Sequence, residues 1–364
     1  MATYKNYCLF TLLLFLNPGC IAVDGNNYHA LVSQHKISSS APVYNTIQAA
    51  INAAPQNTKT PFRIFISAGN YYEKIVITKN NIQLMGAGEN KTRISYADYA
   101  GKLDLSGKVL TTFGTASLRI KASDIRIENL TIENTFDFLT NDALAPDRKI
   151  IGSQAVALFI DVPSDRIILR NISLLGYQDT LFVNSGRSWF DQVFIAGNVD
   201  YIFGGGTALF TDSEIKTRAR VTATNPYGFI TAPSTHIDNN YGLIFLKCRL
   251  TRDRLVPDNS VALGRPWHPT TTFADGRYAD PDAIGKSIFI NGWMDAHIIS
   301  DGWYSMSGIA RDGGKKSFLP EDSRFFEYQS TGPGAFINSK RRQLKDEEAI
   351  SYTKEKILGD WQPQ

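Results

Sequence analysis

A short alternating motif returns at a near-constant interval through the middle of the chain. Ile172-Ser-Leu174, Val193-Phe-Ile195 and Ser213-Glu-Ile215 lie 21 and 20 residues apart, and Leu130-Thr-Ile132 precedes the first by 42, two such intervals. Repeats this short cannot bury a face alone; stacked, they form a parallel β-solenoid. Residues one period apart then lie on neighbouring strands about 4.8 Å apart. The same interval of 21 separates Asp179 from Asp200 within Gly176–Gly206. The spacing therefore predicts two carboxylates side by side on one face. Such a pair cannot ionise freely at both sites, so one holds a proton while the other stays an anion, the division of labour of an acid/base pair. Either Asp alone reads equally well as a turn residue accepting backbone N–H bonds. The aromatic surroundings (Tyr177, Phe182, Tyr201, Phe203) and the adjacent amide of Gln178 favour a site.

With 364 residues, 43% of them hydrophobic, the chain can bury one sizeable core. Residues 1–23 have the form of a secretory signal: Lys5, an apolar run from Leu9 to Leu16 too short to span a membrane, and Cys20-Ile-Ala22 as cleavage site. The remainder, 24–364, is expected to be one secreted solenoid domain. Removing the signal takes Cys8 and Cys20 and leaves Cys248 alone, so stability must come from the core rather than from an internal disulfide. A net charge of +3 suits an anionic polymer, while the one compact basic run, Lys340-Arg-Arg342, reads as a solvated face rather than a nucleic-acid site. Sequons begin at Asn90, Asn129 and Asn171; the last two fall inside the repeat, which leaves Asn90 as the exposed acceptor.

Asn45 to Pro55 reads as a short amphipathic helix, N-capped by Asn45, with Ile47, Ile51 and Ala54 on its buried face, placed to cap the solenoid. Strands are expected at Phe62–Ile66, Glu73–Ile77, Ile82–Leu84 and through Leu118–Ile132, resuming at Gln154–Leu158 and continuing to about Leu250. Residues 98–117, Asp137–Gly152, Arg252–Ser260 and His268–Gly285 read as loops, the last two as cleft walls. Asp346–Leu358 reads as one helix on the flank, with Ile350 and Ile357 inward and Gly359 as its stop.

Several chemistries lack their residues. No Ser has Gly two positions to either side, so there is no nucleophile elbow. The five histidines are scattered, and no paired-Cys or His-Glu-x-x-His metal site occurs. Gly204–Gly206 is a tight turn rather than a phosphate loop, and His268 a structural loop residue.

Five segments, Gly69-Asn-Tyr-Tyr-Glu73, Gln154-Ala-Val-Ala-Leu158, Gly176-Tyr-Gln-Asp-Thr-Leu181, Asp200-Tyr-Ile-Phe-Gly204 and Leu263-Gly-Arg-Pro-Trp267, together resemble the signature segments of the pectin methylesterases, in the family's order. The C-terminal part is most similar to the secreted bacterial-type members. The resemblance implies a right-handed parallel β-helix and release of methanol from methylated galacturonate in pectin. The lack of a metal-ligand motif, of a long basic run and of a membrane-length apolar run leads to the expectation of no metal or cofactor and no nucleic-acid or membrane partner, and the chain is expected to act as a monomer. The resemblance makes Asp200 the nucleophile, Asp179 the general acid/base, Gln178 and Gln154 the oxyanion donors and Arg265 the orienting cation. Trp267 is implied to line the sugar cleft, with Phe203, Thr115, Arg220, Asn225, Thr270 and Met306 as further substrate contacts. Arg220, 20 residues after Asp200, is expected on the next coil, facing a substrate carboxylate or else in a surface ion pair. Phe182, Tyr201 and Gly205 depart from common family usage, which bears on subsites rather than on the chemistry. Two other classes remain open: a pectin-cutting β-helix hydrolase or lyase, although no Gly-His-Gly segment or calcium-type acidic cluster is found, and a non-catalytic polysaccharide-binding solenoid.

Overall fold

The structure is a computed structural model and describes residues 27–363 apart from Asn57 and Leu105. The expected signal segment, with Cys8 and Cys20, lies outside those residues. The chain forms a parallel β-helix, as the period predicts. Its coils are built from short strands whose ladders are parallel throughout, apart from two surface hairpins at Thr270–Phe273/Gly276–Ala279 and Met306–Ile309/Lys315–Phe318. One face is a seven-stranded sheet of Ile75–Ile77, Leu118–Ile120, Leu158–Ile160, Leu181–Val183, Val199–Gly204, Gly228–Pro233 and Val261–Gly264.

Coil corners are set by single left-handed residues. Asn129, Asn171, Gln192, Asp212, Lys247, Asn291 and Gln329 all have φ between 48° and 58° and follow one another in register along one edge. Every one is polar: an apolar β-branched side chain pays most in this region, and at a corner it would also point to water. The corner turns Asn171 outward, so it is exposed as well as Asn90, against expectation. Inside the coils, equivalent positions stack like on like. Phe190, Phe210, Phe245 and Phe289 form a column with ring centroids 4.5 Å apart at each step, near the strand spacing.

Both ends are closed. The N-terminal helix is Ile47–Ala53; its cap is Thr46 rather than Asn45, with the Thr46 hydroxyl accepting from the Ala49 N–H at 3.2 Å. The Glu73 carboxylate accepts from the Ile47 and Gln48 N–H groups, tying the helix to the coil beneath. At the other end the coils run well past Leu250, to Arg324–Tyr328. The outer edge of that strand is bridged by Gln343, with Arg341 wholly buried on the Glu327 carboxylate at 2.7 and 2.6 Å. The expected terminal helix is two, Asp346–Ala349 and Lys354–Leu358; Ile357 is buried but Ile350 is 63% exposed, because the break turns it out. Among the described residues no helix is long and apolar enough to cross a membrane.

Candidate active site

The seven-stranded face carries the aspartates. Leu181 pairs with Ile202 and Phe182 with Phe203, while Gln178 bridges Val199, so Asp179 falls opposite Asp200 one coil on. Both are left-handed, with φ 64° and 48°, and both are nine-tenths buried. Asp tolerates this conformation better than most residues. The register shift between Val199 and Ile202 relative to the next strand marks Asp200 as a kink in its ladder.

Arg265 follows the strand Val261–Gly264 and reaches back across the face. Its Nε donates to Asp200 Oδ1 at 2.8 Å and its terminal nitrogen to Oδ2 at 2.5 Å, a two-pronged clamp. The guanidinium lies 3.9 Å over the Phe229 ring, which fixes its plane from behind. Burial works against the Arg265 charge, but Asp200, and more weakly Asp179, outweigh it and hold the guanidinium protonated. Among the described residues Asp179 has no such partner. Burial, then the neighbouring Asp200 charge, raise its carboxyl well above the usual range, and Arg265 offsets this only in part. The two carboxylates thus have opposite environments, one clamped by a cation and one stranded.

A cavity of about 240 Å³ opens over the pair, lined by Gln154, Gln178, Asp179, Asp200, Arg265, Phe203, Trp267 and Met306 together with Thr112, Phe113, Phe182 and Ala232. Its floor is Phe182 stacked on Phe203, continued beneath the wall by Phe159, with centroids 4.3 Å apart at each step, and Trp267 stands edge-on to Phe203 at 5.5 Å. Apolar floor with polar groups converging at one end is the usual anatomy of a ligand site. Phe182, expected only among the aromatic surroundings, is missing from the expected substrate contacts, although it lies one period before Phe203 and the repeat could have found it. Phe113, from an irregular loop, left no such signal. A larger recess, about 470 Å³ around Trp303 and Lys340, contains neither aspartate.

Four expected substrate contacts fall elsewhere. Arg220 does not stack on Asp200: the next coil takes about 30 residues rather than 20, since Ile202 pairs with Thr231, and Arg220 lies in the excursion between them. There it pairs with buried Asp142 at 3.1 Å, in an adjoining cavity of about 290 Å³ that shares Gln178 as a wall. Thr115 is wholly buried, its hydroxyl accepting from the Val156 N–H and donating to the Thr112 carbonyl, so it braces the wall from inside. Asn225 is exposed on the Arg220 excursion, and Thr270 is on the first surface hairpin; neither lines the cavity over the pair. His268 is structural, stacked on Phe318 at 3.7 Å, with Nδ1 2.7 Å from the Asp280 carbonyl. Among the described residues no three His, Cys, Asp or Glu side chains are grouped to hold a metal ion.

Residues 37–360 match the family model described as Pectinesterase. Pectinesterase A of Dickeya dadantii (strain 3937) is 48% identical over 347 residues, covering 94% of this chain and 93% of that protein. Among solved structures, a pectin methylesterase in complex with a hexasaccharide superposes with a TM-score of 0.89 at 47% identity, covering 93% of this chain and 98% of that one. The pectin methylesterase from carrot superposes with a TM-score of 0.68 at 25% identity, covering 90% and 92%.

Proposed function

Because this chain belongs to the pectinesterase family, we propose that it hydrolyses the methyl esters of galacturonate units in pectin by a two-step, double-displacement route. Asp200 Oδ attacks the ester carbonyl carbon, and the carbonyl oxygen becomes an oxyanion met by the amide N–H groups of Gln178 and Gln154. Collapse breaks the bond to the methoxy oxygen, which takes the Asp179 proton and leaves as methanol. Asp179, now a carboxylate, removes a proton from water as that water attacks the acyl carbon. Galacturonic acid departs and releases its remaining proton to solvent, Asp200 is restored as an anion and Asp179 as an acid. No proton is gained or lost by the enzyme over the cycle.

The observation that carries this reading is the asymmetry of the pair. Asp200 is held in a two-pronged clamp by Arg265, while Asp179, beside it and with no such clamp among the described residues, has its carboxyl held toward the protonated state. Trp267, Phe203 and Met306 supply apolar contact for sugar rings and methyl groups along the cavity. Residues 24–364 act as a single secreted domain, a monomer on pectin, with no cofactor. The test scores methanol release from highly methylated pectin beside viscosity loss on demethylated polygalacturonate. Methanol release without loss of viscosity is expected. Viscosity loss without methanol would replace this reading with a chain-cutting activity.

A further inference from the structure

Gln178 is useful to an oxyanion only if one end of its amide faces the cavity. The two ends are nearly the same size, and a flipped amide would present its oxygen to a developing negative charge. A tether on the end turned away must hold the amide still. The Ser153 hydroxyl donates to Gln178 Oε1 at 2.9 Å, from the side of the adjoining cavity. No other side-chain hydrogen bond of Gln178 is formed among the described residues. The serine is itself held in place: Gly152, just before it, is left-handed at φ 91°, and a Cβ there would come within 2.7 Å of the Ala100 carbonyl. The Ala100 N–H donates to the Gln154 carbonyl just after it, and the Ala155 N–H to the Gln178 carbonyl. Segment 154–157, which leads into the strand Leu158–Ile160 rather than being strand itself, is thereby pinned against the coil that bears Gln178.

We propose that Ser153 is a positioning residue for the esterase reaction, fixing the Gln178 amide with its oxygen turned away and its NH₂ presented to the oxyanion. This rests on the reading of Gln178 as an oxyanion donor. Ser153 touches no substrate in this role, and its hydroxyl matters only while Gln178 is present. Gln154 has no comparable tether among the described residues, so Gln178 is the ordered donor of the two.

The test is steady-state methanol release by the full chain carrying S153A, S153T, Q178A and S153A with Q178A. Losing one neutral hydrogen bond that orients a transition-state donor is expected to lower kcat about fivefold at unchanged KM. Threonine keeps the hydroxyl and should restore kcat to within about twofold. Q178A should lose about 10²–10³-fold in kcat, the range for one oxyanion donor. In the Q178A background, S153A should then cost nothing more, because the group it orients is gone. Wild-type kcat in S153A, a loss that appears in KM instead, or an equal fivefold loss in the Q178A background would each overturn the proposal. Wild-type kcat in Q178A would instead remove the oxyanion role of Gln178, and the proposal with it.

Discussion

Asp179→Asn should make this protein slower and, above about pH 4, more stable. The carboxyl is 8% exposed, no donor among the described residues hydrogen-bonds its anion, and burial and Asp200 raise its pKa well above the ordinary value, against a smaller opposing effect of Arg265. In the unfolded chain the same group titrates near about 3.9. A folded-state pKa above the unfolded one means that the folded chain binds more protons throughout the window between them. Its contribution to stability is therefore fully present below about pH 4 and declines as pH rises through that window. One proton corresponds to a slope of about 1.4 kcal/mol per pH unit. Asparagine carries no proton, so the difference between variant and wild type should be flat below about pH 4. It should then widen at about 1.4 kcal/mol per unit and level off where the folded carboxyl ionises. Urea unfolding of both proteins at half-unit steps from pH 3.5 to 9 reads this directly, since one kcal/mol moves the Tm of a chain this long by only about 2 °C. Over the same range kcat should fall by about 10²–10⁴-fold, the usual worth of a positioned acid. The two measurements constrain each other: the pH at which the stability difference levels off should match the alkaline limb of wild-type kcat/KM. Parallel stability curves would refute the reasoning, because they would mean that Asp179 titrates alike in both states and holds no proton for catalysis.

Three further outcomes are expected. Asp200→Asn should abolish methanol release with the fold retained, since an amide is no nucleophile; a folded variant keeping more than about a few per cent of activity removes the assignment. Exhaustive chelation at fixed ionic strength should leave turnover unchanged, and a loss restored by calcium alone would point to a metal-dependent reaction. His297 is wholly buried with neither ring nitrogen hydrogen-bonded, and burial pushes its pKa down to about 4. Because the folded value lies below the unfolded one, wild type should lose about 3 kcal/mol between roughly pH 6.5 and 4 as the unfolded chain takes up a proton first; His297→Leu should lack that slope.

The site was legible where the period was. Asp179, Asp200 and Gln178 lie on coils one regular interval apart, so counting residues placed them; Arg265 and Trp267 were found by their segment, not by spacing. Counting failed at Arg220, where an excursion from the coil lengthens the repeat to about 30 residues while the strands on either side still pair. The same cause hid the last coils. Strands at Lys286–Ile290 and Arg324–Tyr328 continue the ladder, but hairpins and loops of unequal length separate them, so no fixed interval survives in the sequence. Thr115 and Ser153 show a different limit. One hydroxyl is spent inside the wall and the other lies against the Gln178 amide, and no pattern of residue types distinguishes the two.

The closed ends bear on how such a molecule fails. Every coil offers the next a ready row of N–H and C=O groups; the helix at Ile47–Ala53 packs over one end of the rod, and the segment around Gln343 bridges the outer strand at the other. If either is peeled back by heat or clipped by a protease, the bared edge has the geometry of an interior one. A second molecule damaged at the opposite end can then dock on it. That contact is head-to-tail and does not close on itself, so molecules bared at one end stop at a dimer, while those bared at both ends carry it on into filaments. Partial damage at a terminus would therefore be felt as a loss that accelerates with protein concentration, even while the coils bearing Asp179 and Asp200 remain intact.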